Sequence, residues 1–450
     1  MKRFYFTLIL AMSAGIIFIQ AQDSTKVSIP AEFASWNVQQ HELRNGLKIL
    51  TLEDHSAPVV TFQMWTHTGS RNERPGITGI SHLFEHMMFK GSKKYGAEEH
   101  ANIVQRNGGN LNAFTTEDVT VYFENIVPDK LELIVSLEAE RLANLNISDS
   151  TLASEREVVK EERRYRVEND NFGLVYEQLL SNAFLAHPYQ WSIVGWMSDL
   201  DAITVSDCKE YHRVHYAPNN VTLVIVGDFK TAEALKMVDK YFGKIPAQEA
   251  ATPVTTVEPR QLGERIAYVK RQAQLPMLVA GYHTPDFKAD DYYVLQVLQK
   301  ILSDGRSSRL YKKLVYEEQV ALYAGGGLSD TEDPGLFYLY LGMNPGCDID
   351  KGKKMLFAEV ERFATEEVSD KELQKARNQL EADLIMSMQS NMRKGLNLGD
   401  YQVRGGDYKL LFTAAEKYQK VTKADIIRIA KEYMNEDNRT VVILIPQKES

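Results

Sequence analysis

His82, Glu85 and His86 are the residues of this 450-residue chain whose types and spacing could do chemistry. They lie in the run Gly79-Ile-Ser-His-Leu-Phe-Glu-His-Met-Met-Phe89, with Pro75 and Gly76 before it and Gly91 after it. Between those breakers Ile77, Ile80, Leu83, Phe84, Met87 and Met88 recur at helical spacing. On a helix, positions i, i+3 and i+4 share a face, so His82, Glu85 and His86 point the same way, away from most of the apolar stripe. Two imidazoles one turn apart can bind one zinc ion and leave positions for another ligand and a water. The carboxylate beside them can take a proton from that water. The order His-x-x-Glu-His inverts the commoner His-Glu-x-x-His motif and is itself a catalytic signature. The same five residues also suit an ordinary amphipathic helix, so the rest of the chain has to decide.

A zinc site of this kind needs a third protein ligand, and a carboxylate is suitable. A charged helix over about residues 150–167 carries Glu155, Glu157, Glu161 and Glu162. Most of such a run is a solvated face. Glu155 and Glu162, seven apart, share one side of it. Spacing alone leaves Glu155, Glu161 and Glu162 open as the ligand. His187, His212 and His215 have no partner at ligand spacing and are read as structural or surface residues.

These side chains need a scaffold. Residues 47–52 and 59–65 read as strands, residues 97–106 as an amphipathic helix and residues 111–127 as β-prone. Pro128 opens a helix to about residue 142, and residues 221–227 form a terminal strand. Residues 23–45 are polar and read as a lead-in. Residues 1–22 have the pattern of a secretory signal: Lys2 and Arg3, an apolar run over 4–19, and Ala21 as a small residue for cleavage. The mature chain is therefore expected in the periplasm or secreted, with no stable membrane span. Hydrophobic residues make up 44% and charged residues 25%, as in a soluble globular protein. The net charge of -9 and the absence of a basic block argue against a nucleic-acid partner. Cys208 and Cys347 make no disulfide framework.

The segment 204–225 recurs about 218 residues further on. Thr204, Asp207 and Asn220 match Thr422, Asp425 and Asn438, and Thr222, Val224 and Ile225 match Thr440, Val442 and Ile443. The same offset sets Pro58 on Pro276. The chain therefore reads as α+β, two homologous domains, each a mainly antiparallel sheet packed with helices. Residues 23–245 form the metal half, 246–262 a linker and 263–450 the second half. The second half has one histidine, His283, and cannot form a pair.

Taken together, these pieces resemble the pitrilysin or insulinase family of zinc peptidases. The nearest likeness is to its half-length branch, which includes the mitochondrial processing peptidase subunits and their bacterial relatives. The likeness spans the whole mature chain. It is carried by the run from Gly79 to Gly91, Asn112-Ala-Phe-Thr, Glu155-Arg-Glu-Val-Val-Lys-Glu-Glu162, His187-Pro-Tyr, Arg306-Ser-Ser-Arg-Leu and Ala321-Leu-Tyr323. The resemblance implies that His82, His86 and Glu162 ligate zinc, that Glu155 orients a ligand and that Glu85 is the general base. It places Asn112 and Ala113 near an edge strand to which substrate peptide adds. It also implies two bowl-like lobes closing around unfolded peptide, with the two domains of this chain forming one clamshell half. Relatives carry an Arg and a Tyr seven apart in the second half; here Tyr323 is kept as a substrate-binding candidate, but Tyr316 stands in the Arg position. The expectation is a zinc endopeptidase acting on peptides or unfolded segments outside the cytoplasm. The alternative is a non-catalytic scaffold or substrate-binding subunit. A homologous but different partner subunit is expected, with a homodimer less favoured, because Tyr cannot replace a guanidinium.

Overall fold

The structure is a computed structural model that describes residues 36–447. The signal pattern over residues 1–22 lies outside the described residues. Among the described residues no helix is long and apolar enough to cross a membrane.

Two sheets organise the chain. The first contains β1 (Gln39–Glu42), β2 (Lys48–Glu53), β3 (Val60–Thr66), β4 (Asn110–Thr115), β5 (Thr120–Ile126) and β6 (Val221–Gly227), in the order β1-β2-β6-β3-β5-β4. The second contains β7 (Arg265–Gln272), β8 (Met277–His283), β9 (Ala321–Leu328), β10 (Leu336–Met343) and β11 (Arg439–Gln447), in the order β7-β11-β8-β10-β9. Both are mainly antiparallel. Each has one parallel pair, β2 with β6 and β7 with β11. The strand order repeats between the halves, so the sequence repeat is a repeat of topology. One expectation needs correction. The end of the polar lead-in is not a mere approach to the fold: Gln39–Glu42 pairs antiparallel with β2. Its alternating polar pattern is that of an edge strand with one face wet.

The central strands β3 and β6 are buried along their whole length, so both faces of the first sheet must be covered. One face packs on helices of its own half, including α1 (Ile80–Met87), through Leu47, Ile49, Phe62, Leu83 and Phe84. The other face is covered from the second half. Leu398, on a helix over Asn391–Val403, and Met388, Tyr408 and Leu411 pack on Leu50, Leu52, Trp65, Val224 and Val226. Gly395 and Gly399 of that helix permit the approach; a Cβ at Gly399 would lie 2.2 Å from the Trp65 indole. The exchange is reciprocal. A first-half helix over Asn171–Ala183 lays Val175, Leu179 and Ala183 on Val279, Val442 and Leu444 of the second sheet.

A polar seam continues the contact. Arg71 meets Glu332 at 2.9 Å and Asp333 at 2.7 Å. His67 meets Glu332 at 2.6 Å and His187 meets Asp333 at 3.1 Å. Tyr189 donates to Asp118 at 2.6 Å, and the Glu332 amide donates to the same carboxylate at 2.8 Å. The buried charges of the seam are paired, as burial demands.

Candidate active site

The helix α1 begins at Gly79, whose left-handed φ of +86° suits glycine. No side chain at that cap closes the helix. Instead Glu73 reaches over: its two oxygens accept from Gly79 N at 2.7 Å and Ser81 N at 2.8 Å. These are two of the donors a helix start leaves unpaired. Burial pushes the Glu73 carboxyl up to about 8, against the pull of those donors. The histidine face is less open than the apolar spacing suggests. His82 is only 7% exposed, because neighbouring elements close over it.

The charged helix is shorter than expected. It is α2, Asp149–Arg163, capped by Ser148 and Thr151, and a π-helical turn over Arg164–Glu168 follows it. Its packing on α1 separates the three candidate glutamates. Glu162 Oε2 lies 3.3 Å from His86 Nε2 and 3.6 Å from His82 Nε2. Glu155 is buried one layer behind, with Oε2 3.8 Å from His86 Nδ1. Its Oε1 accepts from Ser154 Oγ at 2.8 Å and lies 3.3 Å from Lys90 Nζ. Glu161 turns outward to Arg164.

His82, His86 and Glu162 offer three donor atoms within 4.8 Å of one another. A tetrahedral zinc site with bonds of about 2.0 Å sets its ligand atoms about 3.3 Å apart, close to the spacings here. Burial and the neighbouring His86 push the His82 pKa down to about 4, which leaves a neutral imidazole of the kind a metal needs. Its Nδ1 is enclosed with no hydrogen-bond partner among the described residues, and its Nε2 faces Glu162 Oε2. Contact with His86 holds the Glu162 carboxyl below its usual range. The donor set fits zinc: two imidazoles and a carboxylate, with room for a fourth ligand.

Glu85 stands beside this set. Burial raises its pKa, and Thr115 Oγ1 donates to its Oε2 at 2.6 Å. A carboxyl shifted upward in this way suits a proton acceptor near neutral pH. All four residues line a cavity of about 600 Å³ together with Asn112, Ala113, Thr115, Glu117, Arg166 and Tyr176. Asn112 and Ala113 belong to β4, the edge of the first sheet, which pairs only with β5 among the described residues. No strand pairs with its other side among the described residues.

Tyr323 is not brought into this cavity. It lies on β9 and lines another cavity of about 880 Å³ with Phe172, Leu322 and Met343. Tyr316 is 75% exposed on a π-helical turn over Tyr311–Glu317. His187, His212 and His215 stand apart from the metal set. His187 is in the seam between the halves, while burial pushes His212 and His215 down to about 4. A second donor group, His100, Glu124 and Glu138, is wholly buried. Arg141 already fills it, donating to both oxygens of Glu138 at 2.7 and 2.5 Å. That group is a buried ion network with its own cation.

Sequence reasoning passed over Glu73, Thr115 and Arg166. Thr115 stood inside the quoted Asn112-Ala-Phe-Thr run. Glu73 and Arg166 carry no periodic signal that marks them.

The family model described as insulinase (peptidase family M16) matches residues 48–195, and the one described as peptidase M16 inactive domain matches residues 202–380. The zinc protease PqqE of Helicobacter pylori is 32% identical over 408 residues, covering 90% of this chain and 92% of that protein. A probable mitochondrial-processing peptidase subunit beta of Arabidopsis thaliana is 24% identical, covering 90% of this chain and 77% of that one. The crystal structure of a protease from Helicobacter pylori superposes with a TM-score of 0.88 at 31% identity, over 91% of this chain and all of that one.

Proposed function

This chain belongs to the insulinase family of peptidases, M16, and from that premise we propose that it is a zinc-dependent endopeptidase cleaving peptides or unfolded segments outside the cytoplasm. One observation carries the reading. Nε2 of His82, Nε2 of His86 and Oε2 of Glu162 converge in a cavity that also holds Glu85 and an unpaired strand edge.

Zinc, when bound by His82, His86 and Glu162, supplies Lewis acidity that polarises a carbonyl and lowers the pKa of a water to about 7. The rest belongs to the chain. Thr115 fixes Oε2 of Glu85, and Oε1 is left to take the proton of the attacking water. Glu85 then returns that proton to the leaving amine. Glu155 sits behind His86 and sets its ring orientation. Asn112 and Ala113, on the free edge of β4, hold the substrate backbone as an added strand. Export rests on the pattern of residues 1–22.

The second half matches the inactive-domain model over most of its length and has a single histidine. It is the substrate-handling half. Tyr323 lines a different cavity from the metal donors, which favours a contact with peptide held at the metal half of another chain. A homologous but different subunit is the preferred partner, with a homodimer second, because Tyr316 offers no guanidinium.

The test is metal content together with chelator-sensitive cleavage of a peptide library by the purified chain, alone and with candidate homologous subunits. Zinc-free protein, or cleavage indifferent to chelators, would overturn the peptidase reading. Full turnover by a monomer or homodimer would overturn the pairing.

A further inference from the structure

Arg166 has no part in the steps above, yet it is the one lysine or arginine that lines the metal cavity among the described residues. Its Nη2 lies 2.9 Å from Glu162 Oε1. The other oxygen of Glu162, Oε2, faces the two imidazoles. The carboxylate is thus divided, one oxygen for the guanidinium and one for the metal. The Arg166 side chain is 66% exposed, so the pair adds little to stability. What it changes is geometry. A carboxylate released from its partner can close on a zinc ion with both oxygens. That second bond takes the position that a water or a substrate carbonyl needs.

The chain is built to put Arg166 there. After α2 the backbone widens into the π-helical turn over Arg164–Glu168, with Asn169 N donating to Arg164 O at 2.8 Å. Such turns are rare and concentrate at functional sites. The turn is backed by α3, the helix over Asn171–Ala183. A Cβ at Gly173 would lie 2.0 Å from the Arg166 carbonyl oxygen, so only glycine allows this approach. Arg163 ties α2 to α3 by donating to Glu177 at 2.8 and 3.1 Å.

We propose that Arg166 is a positioning residue that holds Glu162 as a one-oxygen ligand of the metal and so keeps a coordination site open. The inference rests on the reading of Glu162 as a ligand. Three variants test it: Arg166→Ala, Arg166→Lys and Gly173→Ala. The readouts are the visible spectrum of the Co²⁺-loaded protein, Zn²⁺ affinity by chelator competition, and kcat and KM separately. Arg166→Ala should weaken the visible absorption, the mark of a higher coordination number. It should also lower kcat or Zn²⁺ affinity about 10–100-fold with KM little changed. Arg166→Lys should restore part of both effects, since it keeps a cationic donor. Gly173→Ala, which leaves Arg166 itself intact, should shift the spectrum in the same direction. An unchanged spectrum, metal affinity and kcat in Arg166→Ala overturns the proposal. Should that variant fail to fold, a wild-type spectrum in Gly173→Ala overturns it. Glu162→Gln separates the two levels: if it keeps zinc, the ligand reading fails and the inference falls with it.

Discussion

At the scale of single residues, Glu85 and Glu162 are both carboxylates at one cavity, and their surroundings assign them different work. Glu85 is held by Thr115 and lies beside the donor set, whereas Glu162 faces both imidazoles. Glu85→Gln should therefore keep its zinc and lose at least about a hundredfold in turnover, the usual cost of removing a general base. Metal analysis and a peptide assay on the same sample decide it; most of the turnover retained would remove Glu85 from the role. Glu162→Gln should lose zinc while Glu161→Gln keeps it. The two neighbours point about 100° apart around the helix, and Glu161 pairs outward with Arg164. Equal zinc content in the two variants would contradict the assignment.

At the scale of elements, several helix starts are closed by their own first residues, and some of these caps are braced by a side chain from elsewhere. The second-half helix over Asp370–Ser387 is a clear instance. Ser369 and Glu372 form its capping box, and Arg309 reaches in to Glu372 at 2.8 Å. That guanidinium contact, against the cost of burial, holds the Glu372 carboxyl down to about 2. A carboxyl whose folded pKa is depressed stabilises the fold above its unfolded value of 4.5, and the contribution is lost as pH falls from 4.5 toward 2. Thermal melts across that window should show a steeper fall for the wild type than for Glu372→Gln. Parallel curves would mean that the contact contributes nothing measurable, as for many exposed pairs.

At the scale of the whole molecule, the two sheets are joined by more than the chain between them. Each is covered on one face by a helix from the other half, and we propose that the halves unfold as one cooperative unit. All four tryptophans lie in the first half, with Trp36 and Trp65 packed against second-half side chains, so fluorescence reports on the first half and on its contact with the second. Phe363, 1% exposed, belongs to a cluster made only of second-half residues. Phe363→Ala should cost about 3–5 kcal/mol. In a single unit that loss lowers the fluorescence melting temperature as well. A fluorescence transition left in place would show that the first half folds alone, and the exchanged helices would then be a docking contact.

What the sequence by itself determined is what short-range periodicity and turn chemistry encode. The spacing of Ile80, Leu83, Phe84 and Met87 marks α1 and puts His82, Glu85 and His86 on one turn of it. The matched Thr204/Asp207 and Thr422/Asp425 pairs are capping boxes at the starts of equivalent helices, so the repeat could be read without coordinates. The tertiary structure decided everything that depends on how distant pieces meet. Helical spacing leaves Glu155 and Glu162 on one side of α2, and only its packing on α1 puts one against the imidazoles and the other a layer behind. The edge strand Gln39–Glu42 has too few residues and too polar a pattern to declare itself until β2 pairs with it. The helix exchange is equally silent in one dimension. An apolar stripe specifies that a face must be buried, and it does not specify which half of the molecule buries it.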